Sequence, residues 1–137
     1  MLPLEVFISH SDRDRLFVSE VVEVLRRHGI PAWYSRTNLI GAQQWHDEIG
    51  AALRRCDWFA IVLSPNSMKS IWVKKELVFA LKQSRLVERI IPLLYQPCDF
   101  DEFSWTLSSY QMIDFTHSFE DGHRDLLRLW SLGFKPK

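Results

Sequence analysis

Trp72 and Glu76, in the run Trp72-Val73-Lys74-Lys75-Glu76-Leu77, stand four positions apart. On a helix that spacing places them one turn apart on a common face. The pair therefore offers an ionisable carboxylate beside a large indole, the arrangement of a catalytic carboxylate supported by an aromatic wall. Helical spacing over residues 71–84 puts Val73, Leu77, Ala80, Leu81 and Ser84 on one arc facing a core, with Trp72, Glu76, Phe79 and Gln83 on the adjacent shoulder. Glu76 is expected at the margin of that core, where an apolar neighbour raises its proton affinity. The plain alternative is a surface glutamate paired with a lysine. Positions three and four away are Trp72, Val73, Phe79 and Ala80, so neither Lys74 nor Lys75 reaches Glu76 by helical spacing. A partner from another element, such as an arginine, stays open.

The elements that position this pair follow from the pattern of apolar residues. Residues 4–9 form a short β-prone run that stops at a polar cluster, as a buried strand opening onto a loop does. Between residues 14 and 28, Phe17, Val18, Val21, Val24 and Leu25 recur at helical spacing, and Gly29 ends the segment. The unit repeats, with a strand over 30–34, a polar loop over 35–44, and a helical stripe of Trp45, Ile49, Ala52, Leu53 and Cys56. Residues 58–63, Trp-Phe-Ala-Ile-Val-Leu, are continuously apolar, the mark of a strand covered on both faces at the centre of a parallel sheet. Ser64-Pro65-Asn66-Ser67 breaks that strand. The third helix spans 71–84, and residues 89–94 read as a fourth strand whose Pro92 hints at an edge or terminal position. Residues 95–110 read as an irregular connection with room for one short helix, followed by a brief fifth strand over 112–115 and a last helix from Phe119 carrying Leu126, Leu127 and Trp130.

Alternating strands and helices imply right-handed crossovers and a doubly wound α/β domain, a parallel sheet with helices on both faces. Ligands of such sheets bind beyond the carboxyl ends of the strands, where strand order reverses. The candidate site therefore lies in the loops after strands one, two and three, residues 9–12, 35–41 and 64–70.

A chain of 137 residues has the length of one domain and can bury its own core. Residues 1–137 are accordingly expected to form a single domain. Lys plus Arg and Asp plus Glu number 17 each, which offers no electrostatic footprint for generic nucleic-acid binding and no basic stripe for anionic lipid. Cys56 and Cys98 lack the short spacing of zinc ligands and are expected as reduced thiols, and His10 has no second His or Cys nearby at ligand spacing, so no metal site is expected. The amino terminus lacks a basic region followed by a long apolar run, and no apolar stretch approaches a membrane span, so a cytoplasmic protein is expected. No Gly-x-Gly-x-x-Gly or Walker-type loop is present, so no bound dinucleotide cofactor is expected.

Val6-Phe7-Ile8-Ser9-His10-Ser11-Asp12, the loop ending Leu39-Ile40-Gly41, Val62-Leu63-Ser64-Pro65-Asn66-Ser67 and the Trp72-to-Glu76 run together resemble the Toll/interleukin-1 receptor (TIR) domain family, in order and in spacing, across nearly the whole chain. The intact tryptophan-to-glutamate motif is more similar to the bacterial and plant branches than to the animal receptors. The resemblance implies a flavodoxin-like sheet of five strands in order 2-1-3-4-5. It implies one of two functions: an NAD⁺ glycohydrolase or cyclase that releases nicotinamide and leaves ADP-ribose or a cyclic isomer, or a catalytically silent TIR–TIR adaptor module. In the first, Glu76 is the catalytic carboxylate and NAD⁺ is a consumed substrate, with no cofactor.

The same resemblance assigns Ser9, His10 and Asp12 to the family's ligand loop, in contact with ribose or phosphate. For Ser11 and Asp12 a helix-capping role competes. Trp72 either walls the pocket or packs to hold the helix, and Trp45 either stacks on a ring or is buried. Arg36, the fixed positive charge of the loop after strand two, either meets a pyrophosphate or is solvated. Ser35 departs from the aspartate of many relatives, and the loop is slightly short. Expected partners are NAD⁺, other TIR domains through self-association, and a sensor or assembly domain in cis or trans, in immune or defence signalling. Two other users of the fold fit less well. A phosphoreceiver needs an aspartate where the third strand ends in Leu63-Ser64, and a nucleoside deoxyribosyltransferase, which also uses a glutamate to break a glycosidic bond, stays a distant alternative because the motifs fit the TIR family better.

Overall fold

The computed structural model describes residues 1–35 and the chain from residue 42 onward, with side chains from residue 46. The five-stranded parallel sheet has the order β2-β1-β3-β4-β5, formed by Val6–Ser9 (β1), Ala32–Trp33 (β2), Trp58–Leu63 (β3), Ile90–Leu94 (β4) and Ile113–Asp114 (β5). Helices cover both faces: Arg15–Arg27 (α1), Ala42–Arg55 (α2), Pro65–Met68 (α3), Ile71–Leu81 (α4), Phe100–Phe103 (α5) and Phe119–Arg128 (α6), with 3₁₀ turns at Asp12–Asp14 and Trp105–Ser109. This is the flavodoxin-like, doubly wound arrangement.

The sheet divides two apolar layers. Val6, Ile8, Ala60, Val62, Ile91 and Leu93 face α1 and α6 with Val18, Val21, Leu25 and Leu127. Phe7, Phe59, Ile61 and Leu63 face α2 and α4 with Ile49, Leu53, Val73 and Leu77. Alternation along β1 decides the site: Phe7 points into the α2–α4 layer, Ile8 to the opposite one, and Ser9 returns to the face of Phe7. The hydroxyl of Ser9 is thereby delivered toward α4.

The central strand is β3, buried on both faces from Phe59 to Leu63, as its unbroken apolarity requires. Pro92 differs from expectation, since it sits inside β4 between β3 and β5, opposite Ile61. The Tyr95 N–H goes to Leu63 on the β3 side, whereas the Leu94 carbonyl accepts from Phe115 beyond β5. Because alternate residues address opposite neighbours, Pro92 turns its donor-less nitrogen toward β5, whose pairing begins only at Leu93 with Ile113. The proline thus removes no ladder bond.

Beyond β3 the chain does not simply break. Ser64 caps the single turn α3, accepting from the Ser67 N–H while the Ser67 hydroxyl accepts from the Ser64 N–H. Ser70 then caps α4 through the Val73 N–H at 3.2 Å. Two consecutive serine caps set the start, and so the rotation, of the helix that carries Trp72 and Glu76.

Candidate active site

Glu76 lies deeper than the helix shoulder suggested, at 8% exposure. Its partner is no arginine. Ser9, 1% exposed at the end of β1, donates its hydroxyl to Oε1 at 2.6 Å. Burial pushes the Glu76 carboxyl up to about 7, opposed in smaller measure by the Ser9 hydrogen bond, which favours the anion. A carboxylate that titrates near neutral pH in a cleft is a candidate for chemistry, because function calls for such poising.

The cleft beside it has a volume of about 470 Å³ and is walled by Ile8 of β1, His10, Asp12 and Arg13 from the first loop, Ser35 after β2, and Ser70, Trp72 and Glu76 from the α4 region. It lies where the strand order reverses from β1 to β3, at the carboxyl ends of the strands. Two other concavities, of about 560 and 600 Å³, lie between α3 and the segment after β4. Their acidic groups, Asp99 and Glu102, are exposed, so neither offers a desolvated carboxylate.

Each candidate from the first loop has a definite place. His10 Nδ1 donates to the Ile8 carbonyl at 3.2 Å, a tautomer assigned from that bond, and its ring meets Tyr34 edge-on at 5.8 Å. Burial lowers its pKa, which keeps the imidazole neutral at physiological pH. Neither Ser11 nor Asp12 caps α1, which starts after Asp14 with no side-chain capping bond; Ser11 caps the 3₁₀ turn before it, its hydroxyl accepting from the Arg13 N–H at 3.3 Å. Asp12 keeps its carboxylate at the cleft wall, 3.8 Å from Arg15 in a solvent-exposed pair that contributes little to stability.

Trp72, 41% exposed, also lines the cleft. Lys75 Nζ lies 4.9 Å from its ring centroid and His46 of α2 meets it edge-on at 6.3 Å. Lys74 turns the other way, donating to the Phe103 carbonyl with its Nζ over the Phe103 ring at 4.8 Å. Both lysines within the motif are thus engaged away from Glu76. Arg36 lies outside the described residues, and so does the side chain of Trp45, although its backbone belongs to α2. Arg13 was not singled out from sequence. It is the fixed cation among the described residues of the cleft wall, and its position directly after Asp12 was the available signal. Among the described residues no three His, Cys, Asp or Glu side chains gather as a metal site requires.

A family model described as a TIR domain matches residues 6–127. The chain belongs to the TIR domain family. In fold, this TIR domain superposes on the TIR domain of the Toll-related receptor TRR-2 from Hydra magnipapillata with a TM-score of 0.73 and 25% identity, covering 90% of this chain and 94% of that one. Over 74 residues it is 31% identical to the 2′ cyclic ADP-D-ribose synthase AbTIR of Acinetobacter baumannii, covering 53% of this chain and 28% of that protein. It is likewise 31% identical over 74 residues to the NAD⁺ hydrolase TcpC of Escherichia coli, covering 53% of this chain and 24% of that protein. The TIR domain spans about a quarter of the length of the curated relatives it matches. No helix among the described residues is long and apolar enough to cross a membrane.

Proposed function

We propose that this TIR domain is an NAD⁺ glycohydrolase or cyclase in which Glu76 supports cleavage of the bond between ribose and nicotinamide. The observation that carries the reading is a carboxylate removed from bulk water yet lining an open cleft at the switch point of the sheet. The reaction asks for one such group. Nicotinamide in NAD⁺ is already cationic at its ring nitrogen; as the glycosidic bond breaks, the electron pair returns to that nitrogen, the base departs neutral, and positive charge passes to the ribose as an oxocarbenium ion. A nearby anion in a low-dielectric site lowers the cost of that charge, and no general acid is required for the leaving group. Water adds to the sugar and loses a proton to give ADP-ribose, or a hydroxyl of the same molecule adds to give a cyclic isomer.

The remaining wall residues suit the rest of the substrate. Trp72 presents a ring face and edge to the pyridine or ribose, Asp12 and His10 offer hydrogen bonds to hydroxyls, and Arg13 offers a fixed positive charge to a pyrophosphate, one of the two parts the family resemblance left open for Arg36. NAD⁺ is the consumed substrate and no further cofactor enters. Association of two or more copies completes the site, under a sensor or assembly domain in cis or trans, in the cytoplasm, with NAD⁺ loss or the nucleotide product as the immune or defence signal. The names of the relatives support the chemistry, and an assay of nicotinamide release at high protein concentration tests it. Absence of release from assembled wild-type protein defeats the proposal.

A second reading is an adaptor that signals by TIR–TIR contact alone, for which exposed apolar side chains such as Leu16 and Trp105, each 80% exposed, offer points of contact. Under that reading Glu76→Ala keeps its binding and no NAD⁺ is consumed by the wild type.

A further inference from the structure

Ser9 does not line the cleft, although its neighbours Ile8, His10 and Ser11 do. It sits 1% exposed on the Phe7 face of β1, within the layer that Val73 and Leu77 of α4 share with Phe59 and Ile61. A hydroxyl in an apolar layer costs free energy unless it is hydrogen-bonded, and here its bond goes to Glu76, 67 residues away in sequence. Among the described residues no other hydrogen bond or ion pair reaches the Glu76 carboxylate. Among the described residues, the charged and titratable groups that line the cleft beside the pair are His10, Asp12 and Arg13 on the first loop, and Lys75 on α4 and His46 on α2 lie against the Trp72 ring. His10 donates to a carbonyl, Asp12 faces Arg15, and Lys75 and His46 address the Trp72 ring.

We propose that Ser9 is a positioning residue for Glu76: its hydroxyl holds Oε1 in one orientation, favours the anion, and reserves the second oxygen for the sugar. A flexible glutamate otherwise samples several rotamers about three torsions, and a fixed oxygen avoids that loss at the moment charge develops. The bond also favours ionisation by stabilising the charged form against burial. This assignment rests on the proposed NAD⁺ reaction for its purpose but not for its physical content, and it differs from a direct contact between Ser9 and ribose or phosphate.

Two measurements on Ser9→Ala, which keeps the strand and removes only the hydroxyl oxygen, test it. The first follows the Glu76 side-chain carboxyl by ¹³C NMR across pH in wild type and variant, with Glu76→Gln used to assign the resonance. The midpoint is expected to rise by about one pH unit in Ser9→Ala. The second is the kinetics of nicotinamide release. Here kcat is expected to fall about fivefold or more at pH 7 and to recover in part above pH 9, with KM changed less than about twofold. An unchanged midpoint overturns the assignment, and so does a raised KM with unchanged kcat, the signature of a substrate contact. Should wild type release no nicotinamide, the reaction is wrong while the NMR titration still judges Ser9.

Discussion

The hydroxyl of Ser64 donates to the buried carboxylate of Asp14 at 2.5 Å, joining the turn after β1 to the end of β3. Asn66 Nδ2 reaches the other oxygen at 2.9 Å. Since the first turn carries His10, Asp12 and Arg13, and Ser64 starts the caps that lead into α4, this link ties together the two walls of the cleft. Removing the acceptor in Asp14→Ala leaves two donors without a partner. Urea unfolding is expected to show a loss of about 3 kcal/mol with an unchanged m value, and Asp14→Asn, which keeps one acceptor oxygen, about half of that.

Glu76 itself makes the protein less stable at the pH where it works. Its carboxyl is held up at about 7 when folded against an ordinary value of 4.5, so between those values the native state binds more protons than the unfolded chain. The stability this group contributes is full below about 4.5 and is lost as pH rises through 7. Glu76→Gln, which cannot ionise and can still accept from Ser9, is expected to be more stable than wild type at pH 8 by about 1–3 kcal/mol, and no more stable at pH 4.5. Thermal melts at the two pH values check both signs.

The same titration sets the pH dependence of turnover. The anion is the form that stabilises a cationic sugar, so kcat/KM for nicotinamide release is expected to climb with a midpoint near 7. His10, kept neutral by burial, adds no second limb there. Rates collected from pH 5 to 9 at constant ionic strength give the midpoint.

His123 governs the acid side. It is fully buried on α6 among Phe115, Phe119 and Phe134, with Nδ1 donating to the Phe119 carbonyl at 3.0 Å and, among the described residues, no partner for Nε2. Burial pulls its pKa down to about 4. Its contribution is present above the unfolded value of 6.5 and is lost as pH falls toward 4, for a total of about 3 kcal/mol. Glu76 slopes oppositely over part of this window, so the comparison is made in Glu76→Gln. There, melting temperature is expected to fall steeply from pH 6.5 to 4, and His123→Leu is expected to flatten the fall.

How much of this was legible beforehand depends on how local each cause is. The strand at Trp58–Leu63 and the helix bearing Trp72 and Glu76 were readable because each is written in a run of its own residues. β2 and β5, two residues each, came out shorter than their apolar runs, since pairing with one neighbour and not propensity limits them. The turn at Pro65–Met68 read as a breaker, because its Ser and Pro signal a cap and a loop alike until Ser67 closes the capping box. Pro92 misled for want of knowing where β5 begins. The depth of Glu76 and its bond to Ser9 were hidden for a different reason. Helical spacing shows which face a residue takes, but a partner 67 positions away is set by the packing of α4 on β1.

The most direct test of the account incubates NAD⁺ with concentrated wild type and, in parallel, with Glu76→Ala, and separates the products by chromatography. Wild type is expected to yield nicotinamide with ADP-ribose or a cyclic isomer, and the variant to do so at a rate at least about a hundredfold lower. Equal nicotinamide release by the two proteins would contradict the account.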